Sequence, residues 1–295
     1  MKILCILNPI AGGGRAAKRV LATLQDVFRE AGCPYDLATT QQAGDGACFA
    51  ANAVKVGYDV IVAIGGDGTV NEVAGGLVNT PAALGIIPVG SGNGLARGLH
   101  IPLLAREACR VILDGADKKI DVGQVAGRYF FATSGIGFDA QVGKVYHESP
   151  GHGRGLLMYF QFGTTEFFRY EPQEVHLTCN GKTFRYTPFV LTVANVEQYG
   201  GGAIIAPGAV PDDGLFDVVI LPRMPALEVL WHLPKLFTGM IDLSPYFKSH
   251  RAAALTITRA AAGPVHTDGE PFTAGATLAY TLLPRALNVR VPNSK

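Results

Sequence analysis

Apolar residues follow two different rhythms along this chain of 295 residues. In the first 115 residues or so, short unbroken apolar runs alternate with stretches of helical period. Lys2–Leu7, Tyr35–Thr40, Tyr58–Ile64 and Ala83–Val89 read as strands, and Arg15–Ala31, Asp45–Val56, Val70–Leu77 and Leu104–Leu113 read as helices. Strands apolar at nearly every position need cover on both faces. Alternation with helices therefore predicts a parallel sheet wrapped on both sides. From about Asp121 the rhythm changes to period two. Val175–Cys179 and Thr183–Tyr186 flank Asn180-Gly181, which predicts a hairpin. Phe189–Ala194, Phe216–Leu221, Leu255–Ile257, Thr277–Leu282 and Leu287–Val291 read as further strands, interrupted by helical stretches at Leu156–Phe168 and Ala226–Phe237. The fold class expected is α/β plus β. A parallel-sheet nucleotide-binding domain (1–120) precedes a β-sandwich (121–295), with a cleft between them and Leu287–Val291 able to return to the first domain.

Composition narrows the function. Hydrophobic residues make up 48% and charged residues 17%, as in a globular chain, and the formal net charge is +1. No run of basic residues exists, so nucleic acid is not an expected partner. No apolar stretch reaches 18 residues, and Asn8-Pro9 breaks the N-terminal apolar run too early for a signal peptide. The five cysteines are scattered without a C-x-x-C pair, which argues against a disulfide framework or a zinc site and for a reducing, cytoplasmic setting. The histidines show no metal-ligand spacing and read as surface or core residues.

Three glycine-rich segments fall at the carboxyl ends of predicted parallel strands, where ligands of such sheets bind. The strongest runs Gly65, Gly66, Asp67, Gly68, Thr69, Val70, Asn71, Glu72. It follows a buried strand and opens a helix, so its backbone N–H groups can approach polyphosphate oxygens. Thr69 and Asn71 add neutral donors. Asp67 would repel phosphate unless a cation lies nearby, which points to Mg²⁺. Gly90-Ser91-Gly92-Asn93-Gly94 repeats this logic one strand later. The first segment, Gly12-x-Gly14-x-x-Ala17 with Asp36 about 20 residues on, also fits a dinucleotide fingerprint and so carries a rival reading, an NAD-dependent oxidoreductase. Asp36, however, opens its strand and would lie far from a ribose. No Walker A lysine is present. A third reading is a nucleotide-binding module without turnover. In the second half, Asp212-Asp213-Gly214 sets paired acids beside a tight turn, suited to Mg²⁺. Asp268-Gly269-Glu270 is the best place for a general base.

These motifs carry a resemblance. Asn8-Pro9, Gly65–Glu72, Ile87-Pro88-Val89-Gly90-Ser91-Gly92-Asn93, Pro211–Asp217 and Asp268-Gly269-Glu270 occur in the order seen in the diacylglycerol kinase and sphingosine kinase superfamily. Ser134–Ala140 and Gly200-Gly201-Gly202 also resemble family segments, and the whole is similar to the soluble bacterial lipid kinases. The NAD kinases share only the G-G-D-G-T core. The resemblance implies phosphoryl transfer from ATP, with Mg²⁺, to a lipid hydroxyl at a membrane surface. Diacylglycerol is the first expectation for the acceptor and a sphingoid long-chain base the second. It implies that Asn8, Thr40, Gly65 to Asn71 and Ser91 hold ATP. Asp213 would supply a carboxylate to the metal, with the backbone carbonyls of Val210 and Leu215, and either Asp268 or Glu270 would accept the hydroxyl proton. Ser91 and Gly94 stand where many bacterial diacylglycerol kinases have threonine and aspartate, which brings the sphingoid-base branch closer. Leu156–Phe160 and Leu230–Phe237, with the single Trp231, are candidates for an apolar tunnel or a membrane-facing surface, although core packing is the favoured role for most of them. Peripheral contact with the inner membrane face fits this picture, and a homodimer is compatible with it.

Overall fold

The structure, a computed structural model, describes residues 1–148 and 156–293, with side chains described outside 146–162. The chain divides into two compact units, Met1–Val122 with Pro284–Lys295, and Gly123–Leu283.

The first unit is built on β1 (Ile3–Leu7), α1 (Arg15–Glu30), β2 (Asp36–Thr39), α2 (Asp45–Lys55), β3 (Val60–Gly65), α3 (Asp67–Gly75), β4 (Ala83–Pro88), α4 (Gly94–Gly98) and α5 (Ala105–Asp114). The strands pair in parallel in the order β2-β1-β3-β4. Every residue of β3 and β4 is buried, which explains their unbroken apolar sequence: no face meets water. Fully burying one such Val or Ile contributes about 1.5–3 kcal/mol. The helices supply the cover. α1 packs on α5 and α2 on α3, and α1 turns Ala17, Leu24 and Phe28 inward at helical spacing. α3 starts at Asp67, three residues before the predicted Val70. Gly66 holds the extended N-cap conformation, so the turn rises directly from the strand end.

The chain continues through β5 (Ala116–Val125), β6 (Arg128–Phe130), β7 (Thr133–Gly137), α6 (Phe138–Glu148), α7 (Leu156–Arg169), β8 (Val175–Cys179), β9 (Lys182–Tyr186), β10 (Pro188–Ala194), β11 (Gln198–Gly200), β12 (Ala203–Ile204), β13 (Phe216–Pro222), α8 (Ala226–Thr238), β14 (Lys248–Ala252), β15 (Ala254–Arg259), β16 (Gly263–Thr267), β17 (Glu270–Ala274) and β18 (Thr277–Val291). In the second unit, one sheet runs β14-β13-β10-β7-β16-β17, antiparallel throughout. Another carries the first half of β18, then β15, β8 and β9. Leu191, Val193, Phe216 and Val218 of the one and Leu177, Leu255, Ile257 and Tyr280 of the other share a single buried core, which makes the unit a sandwich. The predicted hairpin at Asn180-Gly181 is present, both turn residues having positive φ.

Several elements differ from the sequence reading, which did not include α4, β5, β6, β7, β11, β12, β14, β16 or β17. Thr277–Leu282 and Leu287–Val291 form one strand, β18, whose later part pairs in parallel with β4 through Asn288 and Val289. Arg285 sits at φ 50 along it, and its N–H donates to the fully buried Asp121 carboxylate at 2.7 Å. α6 was not foreseen. The side chains of the apolar segment Leu156–Phe160 lie outside the described ones. Among the described residues, no helix is long and apolar enough to cross a membrane. All five cysteines are free thiols. Cys5, Cys109 and Cys179 are buried, Cys33 is half-buried and Cys48 is exposed.

Candidate functional site

In the first unit, four strand ends converge. Asn8, just past β1, donates from Nδ2 to Thr69 Oγ1 at 3.1 Å, and its N–H donates to the Ile64 carbonyl of β3. Thr40, just past β2, donates its N–H to the Leu7 carbonyl at 3.0 Å. A Cβ on Gly65 would stand 2.4 Å from Thr69 Oγ1, and one on Gly90 would stand 2.8 Å from Gly66 Cα. Glycine at these positions is what lets the turns after β3 and β4 touch. The amides of Gly68 and Thr69 belong to the first turn of α3, where N–H groups have no partner within the helix and the dipole favours anions.

The acidic residues of this segment have duties within the protein. Asp67 accepts from the N–H of Asn93 at 2.9 Å and of Gly94 at 2.7 Å, so it fixes the loop that opens α4. A Cβ on Gly92 would lie 2.6 Å from Asp67 Oδ2. Asn93, in the left-handed region, closes that loop by accepting from Gly90 N–H and donating to the Gly90 carbonyl. Glu72 accepts from Gly44 N–H at 2.8 Å and Gly46 N–H at 3.0 Å, at the start of α2. Its oxygens therefore serve a neighbouring helix. Ser91 is exposed at the tip of the loop after β4. Asp36 opens β2 opposite Leu4 of β1, and the Tyr58 hydroxyl donates to it at 2.5 Å. It therefore sits at the far end of the strands from Gly12–Gly14, away from where a dinucleotide ribose would lie.

In the second unit, Asp268 and Glu270 part company. Asp268 lies in the left-handed region at φ 49, at the β16–β17 turn. Its carboxylate accepts from the N–H groups of Phe131, Ala132 and Thr133 at 2.9, 2.8 and 3.0 Å, and its own N–H donates to the Thr133 carbonyl. Glu270, the first residue of β17, is exposed. Asp213 accepts from Leu215 N–H at 3.0 Å and is paired with the Arg251 guanidinium, whose Nε also stands 3.4 Å from Asp217. Burial pushes the Asp217 carboxyl above its ordinary range, Arg251 opposes that shift, and Asp213 adds to it. Val210 is exposed beside this turn. Among the described residues, no three His, Cys, Asp or Glu side chains cluster as a metal site. One carboxylate with backbone carbonyls and water is still a donor set that suits a hard cation such as Mg²⁺.

Beside the β16–β17 turn lies a buried network that sequence reading missed. His266 Nε2 stands 2.9 Å from Asp139 and 3.1 Å from the Tyr199 hydroxyl, and Tyr199 donates to Asp139. Gly269 N–H donates to His266 Nδ1 at 3.4 Å, which ties the network to the Asp268–Glu270 turn. Gly135 makes room for it, because a Cβ there would lie 2.6 Å from Asp139 and 2.7 Å from His266. His266, read from the sequence as a surface or core residue, is core and also part of this site. The Tyr199 ring faces an apolar groove of about 470 Å³ bounded by α7, α8 and the β11–β12 hairpin, with Phe138, Phe167, Leu233, Leu236 and Phe237 in its walls. Gly200, Gly201 and Gly202 all have positive φ (130, 62 and 91), a path that side-chain-bearing residues would resist.

Residues 2–125 match the diacylglycerol kinase catalytic domain family, and residues 132–291 match the YegS C-terminal NAD kinase beta sandwich-like domain. The "Probable lipid kinase YegS-like" of Pseudomonas fluorescens is 31% identical over 293 residues, 99% of this chain and 95% of that one. The chain belongs to the YegS-like lipid kinase family. The member from Pseudomonas putida is 33% identical over 90% of this chain and 88% of its own length. The fold of this YegS-like chain is also that of "a putative diacylglycerol kinase from Bacillus anthracis str. Sterne", with a TM-score of 0.77 at 22% identity, covering 98% of this chain and 97% of that one.

Proposed function

We propose that the chain transfers the γ-phosphoryl group of ATP to the hydroxyl of a membrane lipid, diacylglycerol in the first instance, with a sphingoid long-chain base as the alternative acceptor. The observation that carries this reading is the division of labour between Asp268 and Glu270. Three backbone amides occupy the Asp268 carboxylate, so it anchors the turn. Glu270, two residues on, is the exposed carboxylate of this turn, and it accepts the lipid hydroxyl proton as the nucleophile attacks.

The remaining roles follow from chemistry. Phosphoryl transfer depends mostly on positioning and charge neutralisation. Asn8, Thr40, Ser91 and the turn from Gly65 to Asn71 hold the nucleotide, with the first amides of α3 on its phosphates. Gly65 and Gly90 fit this task because a Cβ on Gly65 would run into Thr69 of the same turn and one on Gly90 would fill the space against Gly66. Asp67 and Glu72 support the cradle from behind rather than touching phosphate. Asp213, with the carbonyls of Val210 and Leu215, would hold Mg²⁺, which supplies charge neutralisation when bound. The apolar groove beside Tyr199 takes the acyl chain. Family membership supports the lipid-kinase class of this reading.

The test is transfer of label from ATP, with Mg²⁺, to mixed micelles of diacylglycerol, monoacylglycerol, sphingosine, ceramide or phosphatidylglycerol. The expected result is a labelled lipid whose formation falls on the order of 10²–10⁴-fold in Glu270→Gln, with ATP binding retained. Undiminished transfer by Glu270→Gln would remove that residue from its role. Binding of NADH without ATP would point instead to the oxidoreductase, and ATP binding without any labelled lipid to a nucleotide-binding module.

A further inference from the structure

Large apolar side chains on the surface of this protein are concentrated in one place. Of the fifteen that are exposed among the described residues, seven lie between Leu227 and Leu243. Leu227 is 81% exposed, Trp231 74% and Leu243 68%. They belong to α8 and the short 3₁₀ turn that follows it, Ile241–Leu243. Phe168, 73% exposed, ends α7. The inner side of α8 is already used. His232 is buried with its ring 5.5 Å from that of Tyr246, and Leu236 packs on the core of Ala194, Ile205 and Val219. The outer side presents Leu227, Leu230, Trp231, Pro234 and Phe237 without an intervening charge. Glu228, the acid on this helix, is half-buried beside His232 at 3.5 Å.

We propose that the outer face of α8 is a bilayer-docking surface that inserts into the interfacial region of an anionic phospholipid membrane. Three observations choose this occupant. First, the face has the make-up of an interfacial helix. It is apolar and carries an exposed tryptophan, the side chain whose ring favours the headgroup boundary, and at 13 residues it is too short to cross. Second, exposed or half-exposed cations flank it in the chain: Arg169 follows Phe168, Arg223 precedes the helix, Lys235 lies in its last turn and Lys248 comes soon after, against Asp242 as the one exposed acid between Arg223 and Lys248. Such flanking charge is attracted to anionic headgroups over a distance of about a Debye length. Third, the face is continuous with the acyl groove. Leu230, Leu233 and Phe237 are exposed on α8 and also line the groove, so a lipid leaving the bilayer would meet no polar barrier on the way in. This last point rests on the lipid-kinase reading; the first two do not.

The sequence contains a single tryptophan, so the native protein reports on this face directly. The experiment mixes the full chain with vesicles of phosphatidylcholine and phosphatidylglycerol, free of diacylglycerol and of nucleotide. The expected result is a blue shift of Trp231 emission, quenching by lipids brominated near the glycerol end of the acyl chain, and flotation of the protein with the vesicles. Partition should weaken when phosphatidylglycerol is omitted or salt is raised. The variant Leu227→Ser with Leu243→Ser, neither of which lines the groove, should partition at least tenfold less. It should still phosphorylate lipid in detergent micelles, where no bilayer need be entered. Trp231→Phe should still float while losing the signal. Emission and flotation unchanged by vesicles would overturn the proposal. So would a blue shift that appears with rising protein concentration in the absence of lipid together with a doubled mass, since the face would then be covered by a second copy. Flotation does not depend on catalysis. A chain that docks but labels no lipid would refute the kinase reading and leave the docking surface standing.

Discussion

Asp67 in the first unit and Asp268 in the second invite the same reading from sequence, an acid followed by glycine at a candidate phosphate or acceptor site. The structure gives both the same occupation and a different weight. Asp67 binds two backbone amides, both in the loop leading to α4. Asp268 binds three on the segment Phe131–Thr133, some 135 residues away in the chain, and does so from a left-handed backbone conformation. A carboxylate with its oxygens filled by N–H groups organises a turn. The acids beside these anchors differ from them in exposure and support: Glu270, next to Asp268, is exposed, and Asp213 accepts from the Leu215 amide and pairs with the Arg251 guanidinium. A motif acid in this fold is best judged by what already occupies its oxygens.

The sharpest way to break the comparison is to remove the heavier anchor. Asp268→Ala leaves three amides without their acceptor. Each charge-assisted bond to a carboxylate contributes about 1.5–3 kcal/mol, though not additively. The expected loss is about 3 kcal/mol, seen as a fall of roughly 5–10 °C in the melting transition of the second unit. Asp268→Asn, which keeps one acceptor oxygen, should lose less. Glu270→Gln, at an exposed position beside the anchor, should lose less again. Equal melting of Asp268→Ala and the parent would show that those amides find other partners and that Asp268 is no anchor.

The lighter anchor should cost less stability and touch binding instead. Asp67→Ala frees the amides of Asn93 and Gly94, at about 2 kcal/mol. The loop from Gly90 to Asn93 then loosens against Gly66. Calorimetric titration should therefore find weaker ATP binding together with the drop in melting temperature. Asp67→Asn should recover part of both. Unaltered ATP affinity in a destabilised Asp67→Ala protein would separate the loop from the nucleotide site and leave Asp67 a purely structural residue.

How far the sequence carries the reading depends on how local the contacts are. The buried strands of the first unit announce themselves because each residue meets the same environment as its neighbour, and Gly65 is legible because a Cβ there would run into Thr69 at the start of the helix that follows. The Tyr199–Asp139–His266 network was not legible. Its members lie 60 and 127 residues apart, and each alone looks like an ordinary core or surface residue. The one signal available was the glycine beside each of two of them, Gly135 on β7 and Gly200 after Tyr199, positions that are glycine because something else needs the space or the φ. Glu72 hides its contacts differently. It stands in a phosphate-loop motif, yet its partners Gly44 and Gly46 lie at the start of a different helix, and nothing within the motif records that contact. The long strand β18 escaped because Arg285, at φ 50, interrupts the alternation that would have joined its two halves.

The smallest expected effect concerns the acid with the least backbone support. Asp213 shares Arg251 with Asp217, and both Asp213 and Arg251 are partly open to water. Exposed pairs of this kind are worth about 0–1 kcal/mol. A divalent cation at Asp213 must displace or share the guanidinium, so Arg251 acts as a built-in competitor. Arg251→Gln removes the competitor and leaves two carboxylates with less positive charge beside them. Its affinity for Mg²⁺, read from the shift in melting temperature across a Mg²⁺ titration without nucleotide, should rise by roughly two- to fivefold. Arg251→Lys, which keeps the charge but not the two-pronged contact, should fall between the two. Weaker Mg²⁺ binding in Arg251→Gln would mean that the guanidinium holds the Asp213 turn in its binding shape, and Arg251 would then be a support for the cation site instead of its rival.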